Sequence, residues 1–157
     1  MWSKMFLCPK CKKEMPCPCG YKPEYEGNIL QLTDLPDMKI DTGDDDYIGY
    51  EHIGRCYSGY NGTEKITAKE KAIAVRLNSE LNGGMLLDLG CGDGLYAIPL
   101  LAEGASLICG DISNAMMRLL YERARFLGLD TQKLTLCRLN AYDIPLSDES
   151  VDAVIAN

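Results

Sequence analysis

Leu87-Asp88-Leu89-Gly90-Cys91-Gly92-Asp93-Gly94 decides the fold of this chain. Met85 to Leu89 is a short apolar run, the mark of a strand buried on both faces. Gly90 to Gly94 turns the chain, and Leu95 to Glu103 reads as a helix stopped at Gly104. Pro99 predicts a local irregularity in that helix. A strand handed to a helix through glycines presents free backbone N–H groups to a polar or anionic ligand.

The same alternation continues outward. Ala105 to Gly110 reads as a second strand, closed by Asp111. Ser113 is placed to cap a helix with Met116, Leu120, Ala124 and Leu127 on one face, ending at Gly128. Lys133 to Leu139 reads as a third strand and Val151 to Ala156 as a fourth. Upstream, Thr67 and Glu70 form a capping box for a helix carrying Ile73, Leu77 and Leu81, stopped by Gly83-Gly84. Strands alternating with helices predict a parallel sheet of right-handed βαβ units.

Such sheets bind ligands beyond the carboxyl ends of their strands. Asp88 and Asp111 both lie there, and a carboxylate at Asp111 can accept from both ribose hydroxyls of a nucleoside. A dinucleotide fingerprint needs G-x-G-x-x-G. Here the glycines run G-x-G-x-G, with Leu95 where the third glycine of that fingerprint belongs, so a nicotinamide-dependent oxidoreductase fits poorly.

The segment Met85 to Asn157 resembles the N-terminal half of class I S-adenosylmethionine-dependent methyltransferases, in the type 11 or ubiquinone-biosynthesis-methyltransferase-like group. Leu87 to Gly94 is similar to the first motif of that family, and Gly110-Asp111-Ile112-Ser113 to its second. Leu139-Asn140-Ala141-Tyr142-Asp143-Ile144-Pro145-Leu146 resembles the segment after its third strand, with Asn140 in place of the usual Asp. Ser150 to Asn157 resembles its fourth motif.

The resemblance implies a Rossmann-like α/β sheet whose first four parallel strands take the order 3-2-1-4. It implies an enzyme that transfers a methyl group from S-adenosyl-L-methionine. Gly90, Cys91, Gly92 and Gly94 would form the loop under the methionine and sugar, held by Asp88. Asp111 would bind the ribose hydroxyls and Ile112 would lie against the adenine. Asn140 and Ala141 would meet the adenine edge, and Asn157 would stand where the acceptor site begins. The acceptor, a small molecule or RNA, stays open, and no catalytic residue is assigned. Such transfer is an in-line displacement that needs mostly position and orientation.

The 157 residues carry a net charge of −7, unevenly spread. Residues 1–30 are net +2, residues 31–54 net −6 and residues 55–157 net −3. Phosphate neutralisation drives nucleic-acid affinity, so only the N-terminal stretch offers a small basic surface. Hydrophobic residues at 46% indicate a globular chain. No apolar run approaches the roughly 18 residues of a membrane span, and Met1 to Pro9 does not read as a signal peptide. A cytoplasmic protein is expected.

Four of the eight cysteines fall within twelve residues: Cys8, Cys11, Cys17 and Cys19. Without a secretory signal, that clustering points to a structural zinc ion rather than to disulfides. Free thiols and an iron–sulfur site are the alternatives. The layout resembles the zinc-ribbon module ahead of some rRNA guanine methyltransferases, also found in small subunits that activate tRNA and rRNA methyltransferases. Two departures are a second knuckle with one intervening residue and the absence of histidine. Cys91, Cys109 and Cys137 read as apolar fillers in or beside strands.

Three segments result: a zinc-ribbon-like module at 1–36, an acidic and aromatic linker or lid at 37–66, and half a methyltransferase domain at 67–157. In the linker, Tyr57 or Tyr60 is the candidate for a cofactor contact. His52, the only histidine, is a candidate base on residue type alone. The alternative function is a non-catalytic interaction module that binds zinc and S-adenosylmethionine. The fourth strand would leave an apolar edge. The expectation is a longer protein, or an oligomer, that covers it.

Overall fold

The computed structural model describes residues 5–35 and 66–156. The linker residues His52, Cys56, Tyr57 and Tyr60, and also Asn157, lie outside the described residues. The elements run β1 (Glu24–Glu26), β2 (Ile29–Gln31), α1 (Ala68–Leu81), β3 (Met85–Leu89), α2 (Ala97–Ala102), β4 (Ser106–Asp111), α3 (Asn114–Phe126), β5 (Leu134–Arg138) and β6 (Ala153–Ala156). One turn of 3-10 helix, Thr131–Lys133, precedes β5.

The sheet order is β1-β2-β5-β4-β3-β6. Its last four members, β5-β4-β3-β6, are all parallel and stand in the expected 3-2-1-4 order. The addition is at the other edge. There β2 pairs parallel with β5, setting Leu30 against Cys137, and β1 folds back antiparallel on β2. The sequence reading gave residues 24–31 no strands, since three-residue strands fall below the length at which alternation can be read.

Strand alternation divides the core in two. Ile29, Leu86, Leu107, Cys109 and Leu136 face the helices, packed with Ile98, Leu100, Met117 and Leu120. Leu30, Leu87, Ile108 and Cys137 face the other way, where Phe6, Leu32 and Leu139 cover them. Phe6 is 1% exposed. Residues 5–7 are tied down there: the Leu7 N–H donates to the Pro145 carbonyl at 2.9 Å, and the Ser147 N–H to that of Met5 at 2.9 Å. The cysteine-bearing segment is therefore seated on the sheet.

Helix ends follow the sequence closely. The Thr67 and Glu70 capping box is formed in full, and the Ser113 hydroxyl accepts from the Met116 N–H. At the end of α1, Asn82 takes the left-handed turn at φ 47°, one residue before Gly83. The buried residue of α1 is Ala74, with Leu77 and Leu81 packed beside it, and Ile73 is exposed. Helix α2 begins two residues later than expected because the turn runs on to Tyr96. Pro99 causes no break there, since the first-turn amides of a helix have no intrahelical partner to lose.

Candidate functional site

The site is assembled at the carboxyl ends of β3, β4 and β5. Asp88, next to last in β3, is 2% exposed, and its Oδ2 has no hydrogen-bond partner among the described residues. Burial pushes the Asp88 carboxyl up to about 6, and the charge of Asp111 adds to the rise, against a hydrogen bond from the Ala97 backbone. A buried carboxylate oxygen without a donor costs stability unless something supplies one.

The glycine loop hangs from β4. The N–H groups of Gly90 and Cys91 donate to the Gly110 carbonyl, at 2.7 and 3.2 Å. Asp111 then holds the loop and the start of α3 together: Oδ2 accepts from the Gly92 N–H at 2.9 Å, and Oδ1 from the Ser113 N–H at 2.9 Å. Each oxygen keeps a second lone pair. Gly90 and Gly92 have φ of 76° and 52°, in the left-handed region.

Gly94 and Gly110 are required by packing. A Cβ on Gly94, at φ 93°, would lie 2.9 Å from Leu120 Cγ, and one on Gly110 would lie 2.7 Å from Leu139 Cδ2. Cys91 likewise turns inward. Its thiol is buried, and hydrogen bonding to Cys109, then burial, pushes it well above the usual thiol range. Its side chain is core, as the filler reading expects, and its backbone belongs to the loop. Arg123 of α3 pairs with Asp93 at 3.6 Å and offsets the one charge carried by the loop.

Around the far side stand Ile112, half-buried, and Ala141, exposed. Asn140 Oδ1 accepts from the Tyr142 N–H at 3.0 Å, an Asx turn that shapes the loop after β5. The structure thus brings Asp88, Gly90, Gly92, Asp111, Ile112, Asn140 and Ala141 to one end of the sheet. Two carboxylates there, with Asp88 Oδ2 unpartnered among the described residues, suit a ligand with a cationic group and hydroxyl donors.

Sequence reading missed three polar residues behind this site. Asn114 is 1% exposed and Arg138 is 6% exposed. Arg138 donates from Nε to the Ile112 carbonyl at 3.0 Å and from Nη2 to that of Leu35 at 2.7 Å. Asn114 meets Gln31 of β2, whose Nε2 donates to Asn114 Oδ1 at 3.1 Å. A charged residue ending the apolar strand Leu134–Arg138 was the one legible signal.

The cysteine cluster forms a second site. The four Sγ atoms of Cys8, Cys11, Cys17 and Cys19 lie within 4.8 Å of one another. The Cys17–Cys19 and Cys8–Cys19 separations are 3.1 and 3.5 Å. Tetrahedral thiolates around zinc stand about 3.8 Å apart, from a bond length of about 2.3 Å. The four-thiol donor set fits that ion, and the sulfurs are gathered closely enough for one ion to reach all four. Each knuckle ends in a left-handed residue just after its second cysteine, Lys12 at φ 60° and Gly20 at φ 77°. Burial pushes the Cys8 thiol up, but bonds from the Cys11 and Lys10 backbone and the Cys17 and Cys19 thiols bring it down to about 7. Hydrogen bonding to Cys17 first of all pushes the Cys19 thiol up to about 12. One thiolate thus suppresses the next, which a divalent cation relieves.

Comparison with known proteins agrees with the fold from β3 onward. Residues 86–157 match the family described as "Methyltransferase domain". A demethylmenaquinone methyltransferase of Clavibacter sepedonicus is 31% identical over 84 residues, which are 54% of this chain and 33% of that protein. An S-adenosyl-L-methionine-dependent methyltransferase structure from Methanococcus maripaludis superposes with a TM-score of 0.57 at 17% identity, covering 73% of this chain and 53% of that one. The methyltransferase CcbJ of Streptomyces caelestis gives 0.54 at 21% identity, covering 66% and 41%. The matched region is about a third of the sequence relative and about half or less of these two structures.

Proposed function

We propose that residues 86–157, part of a methyltransferase domain of the class I fold, hold S-adenosyl-L-methionine for methyl transfer to a small-molecule or RNA acceptor. The observation that carries this reading is the buried Asp88 oxygen without a donor at the end of β3, near enough to Asp111 for that charge to act on it. When bound, the cofactor supplies a sulfonium methyl already activated for displacement.

The chain's own residues bind and orient. Asp88, once ionised, accepts from the amino group of the methionine portion through its free oxygen. Gly90 and Gly92 leave room for close backbone approach. Asp111 uses its remaining lone pairs for the ribose hydroxyls, while its existing bonds fix Gly92 and Ser113. Ile112 lies against the adenine, whose edge meets Asn140 and Ala141. Asn157 and Tyr57 or Tyr60 complete the site from the remaining segments.

The cysteine cluster holds zinc as a structural ion, closed by four protein ligands and without an open position for catalysis. Residues 1–36 then act as a module stapled by that ion, followed by the linker at 37–66. A second copy of the chain covers the β6 edge, and the acceptor is a small molecule or RNA bound beside the cofactor. The enzyme is read as cytoplasmic; separately, no described helix is long and apolar enough to cross a membrane.

Equilibrium dialysis with S-adenosylmethionine and with NAD separates this reading from the oxidoreductase one. The chain retains the first and not the second, and Asp111→Ala weakens retention at least about tenfold through lost bonds to a charged group. Retention of NAD alone overturns the reading.

A further inference from the structure

The two sites are joined by hydrogen bonds linked through short steps of the chain. The Tyr21 backbone N–H donates to the Cys19 sulfur and favours its thiolate, the form a metal ion takes. The Tyr21 hydroxyl, on a ring over which Lys10 Nζ sits at 5.7 Å, donates to the Gln31 carbonyl at 2.9 Å. Gln31 Nε2 then donates to Asn114 Oδ1 at 3.1 Å. Asn114 is the first residue of α3, directly after Ser113, whose N–H caps Asp111. On its other side, Asn114 Nδ2 donates to Glu26 Oε2 at 2.7 Å, and Glu26 is paired with Arg118. The β1–β2 hairpin thus grips the start of α3 from outside.

This grip has a physical purpose that sheet pairing alone does not explain. Asp111 can face a ribose only while the Ile112–Asn114 turn stays in place. Asp111 ties that turn to the glycine loop, accepting from Ser113 on one side and from Gly92 on the other. Asn114 is buried and polar, so both its ends need partners, and the hairpin is what supplies them. The hairpin in turn leaves the cysteine cluster only a few residues upstream, with Tyr21 between them.

We infer that Gln31 and Asn114 are positioning residues that link metal occupancy at the cysteine cluster to cofactor affinity at Asp111. The inference rests on the proposed cofactor and zinc sites. With the cluster filled, Tyr21 is fixed, β2 is held in register, and the Gln31 amide fixes the turn after β4. With it empty, the turn must be ordered when the nucleoside arrives, and affinity falls. Linkage makes this reciprocal: cofactor binding tightens zinc by the same factor.

The test measures the dissociation constant of S-adenosylhomocysteine calorimetrically, with zinc bound and after its removal, for the full chain and for Gln31→Ala. Removing zinc from the unsubstituted chain should weaken binding about five- to tenfold, the scale of one or two hydrogen bonds. Gln31→Ala should weaken it as much with zinc bound, and should lose any further dependence on zinc. A merely structural role for Gln31 would leave the zinc dependence intact. Tyr21→Phe removes a single hydroxyl and gives the same loss of zinc dependence should Gln31→Ala not fold. Binding that ignores zinc in the unsubstituted chain, or zinc dependence that survives both substitutions, overturns the linkage. No binding by a folded, zinc-loaded chain overturns the methyltransferase reading with it.

Discussion

Asp88 carries opposed demands. Its folded pKa of about 6 lies above the usual 3.8, so the folded chain holds more protons than the unfolded chain between those values. The stability it contributes is present in full below about pH 4 and is lost as pH rises through about 6. Ligand binding runs the other way, because the ionised form accepts from a cationic amine. Asp88→Asn should therefore raise the melting temperature at neutral pH, read by calorimetry, while weakening S-adenosylhomocysteine about ten- to a hundredfold. Affinity of the unsubstituted chain should fall as pH drops through about 6. A variant that binds as before would remove Asp88 from the site.

The glycines of the loop divide by cause at the same scale. Gly94→Ala meets both a positive φ and the Leu120 side chain, and should cost about 1–3 kcal/mol in urea unfolding. The glycine spacing was legible as a turn, and Asp88 and Asp111 as its acids. That Gly94 serves packing was not, because Leu120 approaches it from another element. Asn114 and Gln31 were invisible for the same reason: their partners lie far away in sequence, and nothing local marks a buried amide.

Among the elements, the strand and helix order from β3 onward followed from period and caps, whereas the 3-2-1-4 order of the last four strands came from the family resemblance. The capping box at Thr67 and the cap at Ser113 are local chemistry, hence readable. The hairpin β1–β2 is not amphipathic enough to read, and its place beside β5 is set by tertiary pairing. The cysteine segment was readable as a metal module but not as a cover for the sheet. Phe6 makes that attachment. Phe6→Ala should cost about 3–5 kcal/mol, measured by denaturant unfolding of the zinc-loaded chain. Cys8→Ser should lower zinc content from one ion per chain towards none, checked by elemental analysis. A chain that keeps stoichiometric zinc after that change has its ion elsewhere.

At the level of the whole molecule, the sheet is finished on one side and open on the other. Its β1 edge closes on a short hairpin, whereas β6 pairs only with β3 among the described residues, and Val154 is 56% exposed. An exposed apolar edge strand is a template for further pairing. Sedimentation velocity should find concentration-dependent association of the chain, reduced by Val154→Lys. If the two behave alike, the edge is not the contact.

The proposed nucleoside-sulfonium site lies at Asp88 and Asp111, at the carboxyl ends of β3 and β4. Calorimetric titration of S-adenosylhomocysteine into the folded, zinc-loaded chain tests this most directly. Saturable binding at one site per chain, weakened in Asp88→Asn, is the predicted result. Absence of binding at millimolar ligand, with the fold intact by circular dichroism, would contradict it.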